Sequence, residues 1–168
     1  MHITIVAVGQ KLPAWAQTAV DDYLARFPRD FTVIVKEVKA EARTGGKPVA
    51  QVMAAEAERI ERAVPAGDIL VAMDEHGRDM TTVDFAKKIS GWKNEGCGVT
   101  FIIGGADGLD PALKAKSRMM LRLSSMTLPH AFARVLLTEQ IYRAWSILAN
   151  HPYQLPRAYV GTRRHRAA

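Results

Sequence analysis

One stretch of the chain concentrates side chains that could take part in proton transfer. Residues 124–134 read SSMTLPHAFAR and contain three hydroxyls, a histidine and an arginine. Pro129 suits the first position of a helix, so His130 is expected in the first helical turn. The helix dipole disfavours positive charge there and would keep the imidazole neutral and able to accept a proton. A histidine that only fills the start of a helix is the alternative.

A glycine-rich loop is a second candidate for ligand contact. Residues 99–103 (VTFII) form the most continuous apolar strand of the chain, and the loop that follows contains Gly104, Gly105 and Gly108. Glycines let a backbone approach a ligand closely and leave amide groups free to bind it, although a tight turn explains the same pattern. The spacing matches neither the dinucleotide-binding fingerprint nor a P-loop.

Other kinds of chemistry find little support. The chain has a single cysteine, Cys97, and five scattered histidines without an HExxH motif, which argues against a metal site. No G-x-S-x-G motif indicates a hydrolase nucleophile. Arg143 stands four residues after Glu139, a spacing that favours an exposed ion pair on a helix or leaves Arg143 for substrate contact.

Alternating strands and helices must position these candidates. Hydrophobic periodicity predicts strands at 2–8, 31–38, 68–73, 99–103 and 118–124, and helices at 13–26, 49–63, 81–93 and 130–149, with a short helical start at Pro111. Apolar strands separated by helices predict one α/β domain with a parallel sheet covered on both faces. Ligands bind beyond the carboxyl ends of such strands, here near Met73, Gly104 and residues 123–128.

Composition and charge limit the class of protein. With 168 residues, 48% of them apolar, and a single cysteine, the chain is typical of a one-domain cytoplasmic protein without a membrane span or secretory signal. Residues 157–168 hold four arginines and no acid, which leaves only two of the six net positive charges for the rest. More basic residues lie between 114 and 122. Such a surface favours nucleic acid, with a solvated face as the alternative.

The last predicted helix is apolar on more than one side. Leu137, Ile141 and Leu148 belong to one stripe, and Phe132 and Tyr142 widen it. A terminal helix of this kind either inserts into its own domain or pairs with another chain. We favour a homodimer interface.

Three segments together resemble a known family. VAVGQKLPAWAQTAVDDYLARFPRDF, FIIGGADGL and LSSMTLPHAFARVLLTEQIYRAWSILANHPY occur in order and at matching spacing. They are similar to the RlmH family of ribosomal large subunit pseudouridine N3-methyltransferases, which belongs to the SPOUT class of knotted S-adenosylmethionine-dependent enzymes. The resemblance covers residues 1–153.

The resemblance implies a parallel-sheet α/β SPOUT domain over residues 1–153 with a C-terminal trefoil knot. The basic tail at 154–168 departs from the family pattern. The resemblance also implies a homodimer with the active site at the interface and a pseudouridine of 23S rRNA as substrate, which we expect to be methylated on assembled ribosomes. S-adenosylmethionine would be the methyl donor, without a metal and without a membrane partner. The same fold acting on another RNA position, or a non-enzymatic ribosome-binding factor, are the alternatives.

The resemblance also carries site residues over to this chain. His130 becomes a candidate base for the N3 proton, Arg143 a stabiliser of the anionic ring or a phosphate ligand, and Tyr153, with His151, a residue that places the base. Arg134 is expected to face the RNA beside His130. The cofactor-binding positions are Met73, Gly104, Gly105, Leu123, Ser124, Ser125, Met126, Thr127 and Leu128.

Overall fold

Five parallel strands form one sheet in the computed structural model, which describes residues 1–9 and 11–155. The strands are β1 (His2–Val8), β2 (Thr32–Val38), β3 (Ile69–Arg78), β4 (Val99–Ile103) and β5 (Met119–Leu121), in the order β2-β1-β4-β3-β5. All four pairings are parallel. The predicted α/β fold with a parallel sheet is therefore confirmed. Of the predicted basic tail, residues 156–168 lie outside the described residues.

Helices cover both faces of this sheet. They are α1 (Ala14–Leu24), α2 (Val49–Ala63), α3 (Thr82–Asn94), α4 (Pro111–Lys116) and α5 (His130–Leu148). Alternation along β1 decides what each face meets: Ile3 and Ile5 pack in the cluster with α3 and α5, whereas Val6 and Val8 pack with α2 and α4. Helix α1 joins α5 on the first face. Among the described residues, no helix is long and apolar enough to cross a membrane.

The edge of the sheet at β3 and β5 differs from the prediction. Strand β3 continues to Arg78 rather than ending at Met73, and β5 is only three residues long. Leu121 faces both Met73 and Arg78, so β3 has a bulge of extra residues between these two partners. A Cβ at Gly77 would lie 2.6 Å from the Leu121 carbonyl carbon, which only glycine avoids. The chain after Leu121 therefore leaves the sheet early and is free to form a loop.

Candidate active site

The middle of β3 from Met73, the carboxyl end of β4 and the loop after β5 border a cavity of about 620 Å³. The structure thus brings the three predicted strand ends together. Every predicted cofactor position lines the cavity except Ser125, and His130 lines it as well: the lining positions are Met73, Gly104, Gly105, Leu123, Ser124, Met126, Thr127 and Leu128.

The glycines after β4 form a tight turn whose backbone borders the cavity. Gly108 N donates to Gly105 O at 3.0 Å, and Gly108 has a φ of 83°. A Cβ at Gly104 would lie 2.5 Å from the Gly108 carbonyl carbon, and one at Gly105 would lie 3.0 Å from Glu56 Oε1. The tight turn that the sequence offered as an alternative is therefore present, and the same residues line the cavity.

The loop between β5 and α5 offers mainly backbone and apolar side chains. Ser124 Oγ accepts a hydrogen bond from Met126 N at 2.9 Å, so this hydroxyl serves a local turn. Pro129 precedes the first helical residue, His130, as the sequence predicted. The Ser124 hydroxyl is thus engaged within the loop itself.

Charged residues on the extended part of β3 also line the cavity and were not assigned from the sequence. Asp74 Oδ1 accepts from His76 N at 2.9 Å, and Asp74 Oδ2 pairs with Lys114 at 3.2 Å. Burial alone would raise the pKa of Asp74, but the His76 amide and the Lys114 ammonium outweigh it, and the pKa is lowered. The position of Asp74 directly after a predicted strand end was the signal that could have identified it. Among the described residues, no group of His, Cys, Asp and Glu could hold a metal ion.

His130 is bonded to a buried arginine. Arg134 Nε donates to His130 Nε2 at 2.8 Å, and Arg134 Nη1 pairs with Glu37 at 2.7 Å. Arg134 is only 1% exposed, so the expectation that it faces RNA is wrong: its guanidinium lies between His130 and the end of β2. Burial, and then the charge of Arg134, lower the pKa of His130 against the opposing effect of Glu37. The imidazole is therefore neutral, but the lone pair that a base would use already accepts a hydrogen bond.

Arg143 and Tyr153 do not line the cavity of their own chain. Arg143 forms the predicted ion pair with Glu139 at 2.7 Å, and the Tyr153 hydroxyl donates to the same carboxylate at 3.0 Å. Burial, and then hydrogen bonding with Tyr23 and Glu139, raise the pKa of Tyr153. Thirteen residues of α5, or about 20 Å at 1.5 Å per residue, separate His130 from Arg143. One chain therefore does not unite the three catalytic candidates.

The basic residues between 114 and 122 are largely neutralised by ion pairs. The pairs are Lys114–Asp74, Lys116–Glu61, Arg118–Glu95 and Arg122–Asp79, at 2.6 to 3.2 Å. This cluster therefore supplies less positive potential than its sequence indicates.

Comparisons with known proteins agree in the kind of enzyme they identify. A family model described as "Predicted SPOUT methyltransferase" matches residues 1–154. The chain is 53% identical over 153 residues to "Ribosomal RNA large subunit methyltransferase H" of Ralstonia pickettii (strain 12J), and 54% identical to the protein of the same name from Bordetella avium (strain 197N). Each alignment covers 91% of this chain and 98% of the relative.

A solved structure shares the fold at low sequence identity. "A probable methylase family protein" from Haemophilus influenzae Rd KW20 superposes with a TM-score of 0.57 at 15% identity, over 95% of this chain and 72% of that one. The likeness therefore concerns the fold alone.

Proposed function

The chain belongs to the SPOUT methyltransferase family, and we propose that it transfers a methyl group from S-adenosylmethionine to N3 of a pseudouridine in 23S rRNA. The observation that carries the proposal is the cavity lined by Met73, the glycine turn and all residues of the 123–128 loop except Ser125. The large-subunit rRNA as substrate follows the names of relatives that align over 98% of their length. The choice of the pseudouridine N3 atom as the methylated position rests on the resemblance to the RlmH family.

The residues of the cavity fit the cofactor. A volume of about 620 Å³ is in the range of small-molecule sites. Met73, Leu123 and Leu128 offer apolar contacts for an adenine ring, and the loop backbone offers hydrogen bonds to its edge. A Cβ at Gly104 or Gly105 would collide with the Gly108 backbone or the Glu56 carboxylate, so only glycines allow the tight turn whose backbone lines the cavity.

The reaction needs positioning more than charge creation. S-adenosylmethionine supplies a methyl group on a sulfonium: the C–S bond breaks with its electrons staying on sulfur, the N3–C bond forms, and N3 loses its proton. Holding the two reactants in line in a closed site supplies much of the rate. His130 lines the cavity in the first turn of α5, and we place the target ring beside it.

We propose that the working unit is a homodimer. Trp15 of α1 and Phe132 of α5 are each 49% exposed, with ring centroids 4.8 Å apart, and Leu136 and Leu148 of α5 are exposed as well. A second copy covering these side chains would continue the apolar packing of α1 against α5. It would also let Arg143 and Tyr153 of the partner subunit reach the cavity, which neither residue lines in its own chain.

The trefoil knot belongs to the same proposal. The β3 backbone at Gly77 lies close against β5, the loop 122–128 lies at the ends of β3 and β4, and α5 then packs against α1 and α3. A threaded chain would bring its C-terminal segment into such contacts with earlier elements. A substrate in assembled ribosomes would place the enzyme in the cytoplasm.

The test is methyl transfer to ribosomes from cells that lack this activity. Purified protein and isotopically labelled S-adenosylmethionine are added to intact ribosomes and, in parallel, to protein-free 23S rRNA, and the label is mapped by mass spectrometry. We expect label on N3 of one pseudouridine of 23S rRNA, with ribosomes as the better substrate. Label on a ribose or another base would reject the proposed target, and no label with the cofactor bound would favour a non-enzymatic ribosome-binding role.

A further inference from the structure

We infer that His130 works as a hydrogen-bond donor through its Nδ1–H group, and that Arg134 is the positioning residue that keeps it in this state. This inference rests on the proposed function and replaces the role of general base expected from the sequence. It assigns Arg134, and behind it Glu37, a part in the reaction.

The direction of the contact between Arg134 and His130 decides the tautomer. Arg134 Nε lies 2.8 Å from His130 Nε2. A guanidinium has only donors and stays protonated in proteins, so Nε2 must be the acceptor. A neutral imidazole has one lone pair and one N–H, and the proton is therefore on Nδ1.

Arg134 is held where it makes this contact. Its side chain is almost completely buried, its Nη1 pairs with Glu37 at 2.7 Å, and Glu37 is fixed in β2 opposite Ala7 of β1. Nη2 of Arg134 has no hydrogen-bond partner among the described residues, and its nearest surroundings include Gly9 at the end of β1. A buried cation that already lacks one partner loses a second if His130 turns away, so the contact resists rotation of the imidazole.

Protonation of His130 is opposed from several sides. A proton on Nε2 would set an imidazolium against the Arg134 guanidinium, and burial adds to the cost. Glu37 on β2 partly offsets both effects. The other titratable groups lining the same cavity come from β3, the glycine turn, α4 and the loop after β5; they are Asp74, Glu75, His76, Asp107, Lys114 and Arg122.

A hydrogen-bond donor at Nδ1 of His130 could stabilise the deprotonated pseudouridine ring. N3 of pseudouridine lies between two carbonyl groups, so the charge left when N3 loses its proton spreads onto their oxygens. No described residue accepts a hydrogen bond from Nδ1 of His130, whose side chain lines the cavity. Nδ1–H can therefore donate to one carbonyl oxygen and stabilise the anion, while the N3 proton passes to solvent water or hydroxide. N3 then attacks the methyl group, the C–S electrons stay on sulfur, and His130 keeps its proton throughout.

Two substitutions of His130 distinguish a hydrogen-bond donor from a base. Asparagine places an NH₂ group near the position of Nδ1 and can donate but cannot take up a proton, whereas His130→Ala can do neither. We expect His130→Asn to retain a kcat about tenfold or more above that of His130→Ala, the worth of a hydrogen bond to a charged group. We also expect the wild-type rate to rise with pH through the neutral range without levelling at an imidazole pKa. An equal loss of kcat in both variants, together with an inflection in the wild-type pH–rate profile that both variants lack, would establish His130 as a base instead.

The tautomer can be observed without any activity. Long-range ¹H–¹⁵N correlation spectra report which ring nitrogen of each histidine carries the proton, and the signal missing in His130→Asn identifies His130. Protonated Nδ1 is expected, and protonated Nε2 would overturn the inference even in an active enzyme. Absence of methyl transfer by a wild-type protein with protonated Nδ1 would instead reject the proposed function.

Arg134→Lys tests the positioning role. Lysine keeps the charge for Glu37 but cannot bridge Glu37 and His130 with a planar fork. We expect a mixed tautomer signal for His130 and a lower kcat, with the affinity for S-adenosylmethionine little changed in a variant whose melting curve remains cooperative. An unaltered histidine signal and kcat would show that Arg134 only fills space.

Discussion

Replacing Gly104 by alanine would drive a methyl group into the turn that closes behind β4. The new Cβ would lie 2.5 Å from the Gly108 carbonyl carbon and 2.7 Å from its oxygen, where ordinary contacts begin at 3.4 Å. The obstructing atoms are backbone, so the turn has to move by about 1 Å to restore a normal separation. Overpacking of this kind costs about 1–3 kcal/mol, and a displacement of about 1 Å at a reacting site lowers rates by about a hundredfold.

Calorimetric titration with S-adenosylmethionine and thermal unfolding measure the two consequences. Gly91→Ala is the matched control, because Gly91 lies within α3 and an added Cβ there meets no atom within 4 Å. We expect Gly104→Ala to melt several degrees below wild type and to bind the cofactor at least about tenfold more weakly, or about 1.4 kcal/mol. Gly91→Ala should bind normally and gain about 0.5–1 kcal/mol of stability. Wild-type cofactor affinity in Gly104→Ala would refute the assignment of this turn to the cofactor site.

Three further changes test the dimer, the C-terminal pair and the acid response. Phe132→Glu should give a folded monomer by light scattering, because Phe132 is half exposed in the single chain, and the melting temperature should fall because the partner no longer stabilises the folded state; a persistent dimer would place the interface elsewhere. Tyr153→Phe removes the hydrogen bond to Glu139, worth about 1 kcal/mol, and should lower kcat without weakening cofactor binding; an unchanged kcat would exclude Tyr153 from the reaction. Asp74 has a lowered pKa, so its stabilisation is present above the unfolded value of about 3.9 and is lost as pH falls through the folded value. The stability of Asp74→Asn should therefore fall less steeply with pH in that window. A pH dependence of unfolding equal to that of wild type would contradict the pairing of Asp74 with Lys114.

The helices and the central strands could be predicted from the sequence because the local hydrophobic periodicity determines them. The helix predicted at 49–63 and the strand predicted at 99–103 have those bounds in the structure. The pairing of β3 with β5 at the edge of the sheet could not be predicted from the sequence. Its register shift depends on Leu121 meeting both Met73 and Arg78, which are distant from it in sequence, and the polar run after Met73 is typical of a turn.

The grouping of the candidate cofactor residues was predictable for a topological reason. Carboxyl ends of parallel strands meet at one edge of a sheet, so Met73, Gly104 and residues 123–128 had to lie close together. The neutral imidazole of His130 was predicted from its place in the first helical turn, but its tautomer was not, because the tautomer depends on Arg134 being held by Glu37, 97 residues earlier in the chain. The separation of Arg143 from the cavity follows from the length of α5. Whether Arg143 contributes to an active site depends on a second chain, which the sequence of one chain does not position.

A crystal structure of the protein with S-adenosylhomocysteine, the product of the cofactor, tests the central claim most directly. We predict that the adenine edge is hydrogen-bonded to backbone groups of residues 123–128, that the ligand packs against Gly104 and Gly105, and that its sulfur lies at the end of the cavity nearest His130. A ligand bound outside this cavity, with the glycine turn and the loop after β5 left uncontacted, would contradict the account.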